Sequence, residues 1–271
     1  LVLTNRIAFQ LHNAEFEAFR PIAEATKMPA SFARPLITSE KQRGELNIGP
    51  ELSPDGSRLV FFSEKDLFSI DMFVADARTG EVIKKITNTA TNTHYESLSF
   101  LTSAGAWDQA GKRFVFPGLS KGDPVLTIVD VDKGRTEREI RLSEVNEVVN
   151  PAWSPDGKQI VFSALIGGFT DLFVFDLEKD DKSGLRRLTT DAYAEIDPAW
   201  SPDGQRIAFS TDRFTTNLET IKPGHLRLAL MEVSTGTVRE LGGFPDAKNI
   251  SPQWAADGRS IYFLSDRQGI T

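Results

Sequence analysis

The 271-residue chain contains no cysteine. That excludes a disulfide framework, a thiolate metal site and a cysteine nucleophile, and it fits an oxidising or a reducing compartment equally. Histidine is nearly as scarce, at His12, His94 and His225. These are too dispersed for the His-Glu-x-x-His helix of a zinc peptidase, which needs two imidazoles on one helical face. No apolar run approaches the roughly 18 residues of a membrane span, and the start shows no signal-peptide pattern. Basic charge is also short: 31 Lys+Arg stand against 38 Asp+Glu, for a net charge of −7, without a basic stripe. Nucleic acid and anionic membrane are therefore not expected partners. A nucleophile elbow is matched by letters alone at Gly118-Leu-Ser120-Lys-Gly122. Strand patterns flank it and no helix follows, so a nucleophilic role is rejected. No catalytic residue, metal ligand or cofactor is implied by anything in the chain.

What the chain does contain is a repeat. Asn150-Pro-Ala-Trp-Ser-Pro-Asp-Gly157 with Ile160-Val-Phe162 recurs as Asp197-Pro-Ala-Trp-Ser-Pro-Asp-Gly204 with Ile207-Ala-Phe209. Weaker copies end in Gly56, Gly111 and Gly258, each followed by an apolar triplet. The turn glycines are thus spaced by 55, 46, 47 and 54 residues. Proline presets the turn, aspartate suits its next position, and glycine accepts the positive φ that closes a bulged hairpin. The strand after the turn is apolar on both pleat faces and should be covered on both sides. A third and a fourth strand follow in each copy. Four antiparallel strands per period predict a β-propeller blade.

The expected fold is therefore all-β: about four full blades plus a partial fifth. They cover roughly 47–88, 95–142, 148–190, 195–242 and from 250 onward. Residues 1–33 are expected to form a non-repeat segment with a short helix near 14–20, and 34–271 the propeller. Arg34-Pro-Leu-Ile-Thr38 resembles a fourth strand and could complete the last blade. Because the fifth copy holds two strands, the chain reads as a piece of a longer protein, with an open arc or a ring completed by other residues.

The Trp-Ser-Pro-Asp-Gly turn, the Ile-Ala-Phe-Ser strand, Asp171-Leu-Phe-Val-Phe-Asp176 and the Arg186-Arg-Leu-Thr189 close together resemble the TolB-type propeller repeat. That resemblance implies a bacterial periplasmic or envelope protein, and it leaves the activity open, since a fold does not choose one. Phe32-Ala-Arg-Pro-Leu36, Phe62-Ser-Glu-Lys-Asp-Leu-Phe-Ser-Ile-Asp71 and Asp212-Arg-Phe-Thr-Thr-Asn-Leu-Glu219 look more narrowly like envelope proteins in which a gluzincin-like peptidase domain precedes such a propeller. The implied function is a non-catalytic protein- or peptide-binding or scaffolding module. The alternative is the accessory or gating propeller of a peptidase, metal-dependent or prolyl-oligopeptidase-like, whose catalytic domain lies outside this chain.

In a four-stranded blade, the loop into the inner strand and the loop between strands two and three emerge on one face. The two longest loops fall there, around His94-Tyr95-Glu96 and from Phe214 to His225. Asn47, Asn150, Asp197 and Asn249 precede or open inner strands and are expected to ring the channel mouth, or else to cap strand ends. A protein or peptide partner is expected on this face, with Tyr95 and Phe214 as anchors. The turn aspartates and the tryptophans are assigned to turn hydrogen bonds and blade packing, and Arg213 and Arg267 to hydrogen bonds between blades.

Overall fold

The computed structural model describes residues 35–42, 44, 46–66, 70–87, 97–98, 105–181 and 183–267. The predicted helix near residues 14–20 lies outside them. Each repeat is organised by its turn. In the third, Gly157 takes a φ of +69° and its amide donates to Ser154 O at 2.9 Å. The Ser154 hydroxyl donates to Asp156 at 2.6 Å and accepts from the Gln159 amide at 2.9 Å, so one side chain ties the turn at both ends. Ser53 with Asp55 and Ser201 with Asp203 repeat the arrangement. Asp108 replaces the serine in the second repeat and accepts from the Lys112 and Arg113 amides. The Ser53 hydroxyl is the main cause that draws the Asp55 carboxyl down to about 2, and Ser154 and Ser201 lower Asp156 and Asp203 likewise.

A one-turn helix α1 (Ser39–Gln42) precedes the strands. The first sheet pairs β1 (Asn47–Leu52), β2 (Arg58–Ser63), β3 (Asp71–Asp76) and β4 (Val82–Lys85) in chain order. In the second, β5 (Ser97–Leu98) and β6 (Ala106–Trp107) both pair with β7 (Arg113–Ser120), followed by β8 (Asp123–Asp130) and β9 (Arg135–Arg141). The third comprises β10 (Glu147–Trp153), β11 (Gln159–Ile166), β12 (Phe169–Asp176) and β13 (Leu185–Arg187). The fourth comprises β14 (Glu195–Trp200), β15 (Arg206–Thr211), β16 (Arg227–Glu232) and β17 (Val238–Glu240). The last pairs β18 (Asn249–Trp254) with β19 (Ile261–Ser265). All these pairings are antiparallel, which bears out the blade reading.

The core lies between blades. Val115, Leu126, Ile128 and Ile140 of the second sheet meet Ile160, Phe162, Phe173 and Phe175 of the third. Val161 and Leu172, from the opposite face of that third sheet, meet Ile207, Phe209 and Met231 of the fourth. The central strands are thus apolar on both faces because both faces are covered.

A polar ladder reinforces this packing. Trp107 Nε1 donates to Glu51 O, Trp153 Nε1 to Ala106 O, and Trp254 Nε1 to Ala199 O, each at 3.1 Å. Every acceptor is the carbonyl just ahead of the Trp position in the preceding blade. An arginine at the start of β2, β7 or β15 lies over the next blade's indole: Arg58 at 5.1 Å, Arg113 at 4.3 Å and Arg206 at 5.0 Å. Arg58 and Arg113 also donate to the next blade's turn glycine, Gly111 and Gly157. The third blade has Gln159 at this position, and there the ladder is interrupted. Trp200 Nε1 and the Ser163 hydroxyl are buried without a hydrogen-bond partner. The equivalent Ser210 hydroxyl, one blade on, accepts from Ser251 N at 3.1 Å.

Residues 35–38 form no strand. The Leu36 carbonyl lies against Gly80, and Ile37 packs on Phe61, Phe73 and Ala75, so this stretch covers the open face of the first blade. Helix α1 follows it directly. At the other end, Tyr262 and Leu264 of β19 are 70 % and 56 % exposed. The equivalent side chains of earlier blades are covered by the next blade.

The ladder predicts unequal costs along the propeller. Arg113→Gln should lower stability by about 1–2 kcal/mol, from the lost stacking and the hydrogen bond to Gly157. Gln159→Arg should be neutral or stabilising. Urea midpoints of the two variants check this, and equal losses in both would remove the ladder from the account.

Candidate functional site

Antiparallel pairing in chain order places strand ends alternately on two faces. The Pro-Asp-Gly turns and the turns at Gly80, Gly134 and Gly236 share one face. The loops entering each inner strand and those between strands two and three share the other. Loop length on this second face is uneven: β7–β8 and β11–β12 are joined by the two-residue turns Lys121-Gly122 and Gly167-Gly168, with positive φ at all four positions. The insertion between β15 and β16 is the long one among the described residues.

The inner-strand polar residues fall into two registers. Gly49, Asn150, Asp197 and Ser251 each precede a proline, take φ between +52° and +58°, and sit where the inner strand bulges. Asp197 Oδ2 accepts from Ser251 Oγ at 3.0 Å, so equivalent residues of neighbouring blades touch. Asn47 and Asn249 belong two residues earlier, with Val148 and Glu195 as their equivalents by strand register. Asn249 is 1 % exposed and bonds to Phe244 and Ala247 backbone groups, holding the loop into β18. Asn47 donates to Gly44 O at 3.3 Å. His94, Tyr95 and Glu96 lie outside the described residues. The signal that separates the two registers is the proline.

Glu195, absent from the sequence-derived candidates, is, like Asp171, a fully buried carboxyl of this face. Arg213 Nη2 donates to its Oε1 at 3.0 Å and also pairs with Asp191. The Thr189 hydroxyl lies 2.9 Å from Glu195 Oε2 and 3.2 Å from Asp171 Oδ1, and Arg187 pairs with Asp171 at 2.5 Å. The result is one polar chain from the end of the third blade into the fourth. Arg213 thus ties together the start of its own blade and the connector Asp191, while Arg267 stacks over Phe244 at 4.3 Å. Burial pushes the Glu195 carboxyl up to about 7 against the opposing pull of Thr189 and Arg213. Burial alone raises Glu51 to about 7. Ser120 is buried in the β7–β8 hairpin, with Glu139 and Arg141 each 3.3 Å away, which is a structural setting.

The insertion after Arg213 is a built hairpin finger. Asn217 and Lys222 exchange both backbone hydrogen bonds at 3.0 Å, and Thr220 N donates to Asn217 Oδ1 at 2.9 Å. Thr215 Oγ1 donates to His225 O at 2.6 Å, and Gly224 N to Thr216 Oγ1 at 2.9 Å, which closes the base. His225 is exposed at that base, and its carbonyl does the bonding. Phe214, Leu218 and Ile221 are 37 %, 47 % and 87 % exposed. Among the described residues no group of three His, Asp or Glu could hold a metal ion.

The antiparallel radial sheets define a β-propeller repeat protein. Residues 97–218 match the TolB beta propeller domain family. The chain superposes on a protein of Agrobacterium tumefaciens assigned as TolB with a TM-score of 0.63, at 19 % identity over 81 % of this chain and 70 % of that one. It therefore has the TolB-type propeller fold. A prolyl endopeptidase structure matches with a TM-score of 0.54, at 15 % identity over 82 % of this chain and 32 % of that one. An uncharacterized peptidase of Bacillus subtilis, YuxL, is 23 % identical over 85 % of this chain. The chain spans 31 % of that relative's length. No helix among the described residues is long and apolar enough to cross a membrane.

Glu51 and Glu195 predict an unusual pH dependence. Their folded pKa values near 7 lie above the ordinary 4.5, so the fold holds these protons more tightly than the unfolded chain does. Stability must then fall as pH rises from about 4.5 to 7. The turn aspartates, whose values are lowered, contribute an opposite trend only at more acid pH. Thermal melts should give a higher Tm at pH 5.5 than at pH 8, and Glu195→Gln should flatten the difference. An unchanged difference in Glu195→Gln would contradict the assignment.

Proposed function

We propose that the chain is a non-catalytic propeller module that binds a protein or peptide on its loop face, within a bacterial periplasmic or envelope protein linked to a peptidase. One observation carries this reading. Among the described residues of the second to fourth blades, the large apolar side chains left exposed are Phe169, which opens β12 beside its two-residue turn, and Phe214, Leu218 and Ile221 in the β15–β16 insertion, all on that face. The opposite face is made of closed turns. Loops of this kind, set on a rigid scaffold, carry recognition in many folds. The periplasmic or envelope setting rests on the TolB-type likeness. The peptidase link rests on the likeness to YuxL and to the prolyl endopeptidase. In that setting the propeller gates or positions substrate for a catalytic domain elsewhere in the polypeptide, metal-dependent or of the serine type.

A pull-down from envelope extract with the full-length protein tests the binding face. Phe214→Ala and Tyr95→Ala should each reduce recovery of the partner, and Lys158→Ala on the opposite face should not. Loss in the Lys158 variant with retention in both loop variants would place the site on the wrong face. The isolated chain should hydrolyse no peptide or ester substrate above a heat-denatured sample.

A further inference from the structure

Away from its connector, the boundary between the third and fourth blades lacks the directed polar contacts that cross the remaining boundaries. On the inner strand, Trp107, Trp153 and Trp254 each reach a carbonyl of the preceding blade, whereas Trp200 Nε1 is buried without a partner. Gln159 stands where Arg58, Arg113 and Arg206 stack on the next blade's indole. The Ser163 hydroxyl is buried unbonded, whereas its counterpart Ser210 receives the Ser251 amide. At the rim, Lys84 donates to Asp132 O at 2.7 Å and Arg138 to Leu177 O at 2.9 Å, each in the next blade. Their equivalent by strand register is Arg186, which is exposed and has no hydrogen-bond or ion-pair partner among the described residues. What holds this boundary is the packing of Val161 and Leu172 on Ile207, Phe209 and Met231, which has no preferred direction. One polar cluster joins it at the loop face. There the Thr189 hydroxyl lies 2.9 Å from Glu195 Oε2, and Arg213 bridges Glu195 and Asp191 and stacks over Tyr193 at 5.3 Å.

We propose that the propeller flexes at this boundary, with the first three blades and the last two as separate bodies that pivot about the connector from Thr189 to Glu195. Hinge and shear motions use packed surfaces that can shift without breaking directed bonds, and a few residues at the end of an element absorb the change. The pivot lies at the loop face, so the boundary parts toward the turn face and the rim, where Gln159 and Arg186 leave it untied. Each body keeps its own indole bonds, and no blade has to unfold. The closed arrangement also carries a cost. Trp200 Nε1 and the Ser163 hydroxyl are buried unbonded in it, and parting lets water reach both. Closed and parted arrangements are thereby brought near enough in free energy for both to be populated.

Nitroxide pairs on the turn face read this motion. Lys112, Lys158, Gln205 and Arg259 are exposed and each follows a turn glycine, so neighbouring pairs sample successive boundaries at equivalent positions. The labels are attached to cysteines introduced there in the full-length polypeptide, with any cysteine outside this segment replaced by serine. Pulsed electron resonance should give the Lys158–Gln205 pair a second, longer distance, and the Lys112–Lys158 and Gln205–Arg259 pairs a single one. Gln159→Arg supplies the missing stacking over Trp200 and should shrink the second population by about threefold, the factor of one exposed cation–π contact. A single distance in every pair overturns the proposal, as do second distances of equal weight in every pair. So does a second population that Gln159→Arg leaves unchanged, because the motion would then not follow from the missing contacts.

Discussion

The structure depends on how one blade grips the next. A single four-stranded sheet with both faces apolar has no stable existence in water, so each blade is only as stable as its two neighbours allow. Area burial supplies most of the attraction but little direction. Direction comes from the indoles of Trp107, Trp153 and Trp254, each of which donates to a carbonyl of the preceding blade, and from the arginine that covers each one. A buried hydrogen bond is worth about 1 kcal/mol net, and an unmade one costs more. Three such bonds fix the register of sheets that would otherwise slide on greasy faces. The third-to-fourth contact, with Gln159 and the unbonded Trp200, keeps the packing and lacks the register.

The same dependence explains which features were legible in the sequence. The Ser-Pro-Asp-Gly turn and the apolar second strand are local, and they gave the blades, their order and the roles of the turn aspartates. The arginine of the ladder is visible two residues after three of the five turn glycines, as Arg58, Arg113 and Arg206. The indole it covers lies 40–49 residues away, at a distance only the fold defines. Residues 35–38 carry the letters of a fourth strand, yet letters do not supply a neighbouring strand to pair with. There they serve as a cover for Phe61 and Phe73.

The site shows a similar limit. Asn47, Asn150, Asp197 and Asn249 look alike as polar residues near inner-strand starts. The strand register divides them into bulge positions ahead of proline and positions two residues earlier, and it places Glu195 among the latter. A glutamate in that position is indistinguishable from a surface one until Thr189 and Arg213 are seen around it. The long insertion was legible as a loop, whereas its rigidity comes from Asp212, Thr215, Thr216 and Asn217 bonding within the finger.

The register ladder is open to direct observation, because the chain has four tryptophans and each contributes one indole proton. Hydrogen exchange followed on the indole Nε1 signals by NMR reports each bond separately. The account predicts three slowly exchanging protons, from Trp107, Trp153 and Trp254, and one clearly faster proton from Trp200. Four equally protected indoles, or a fast proton at Trp153, would contradict the claim that hydrogen bonds from these side chains set the blade register.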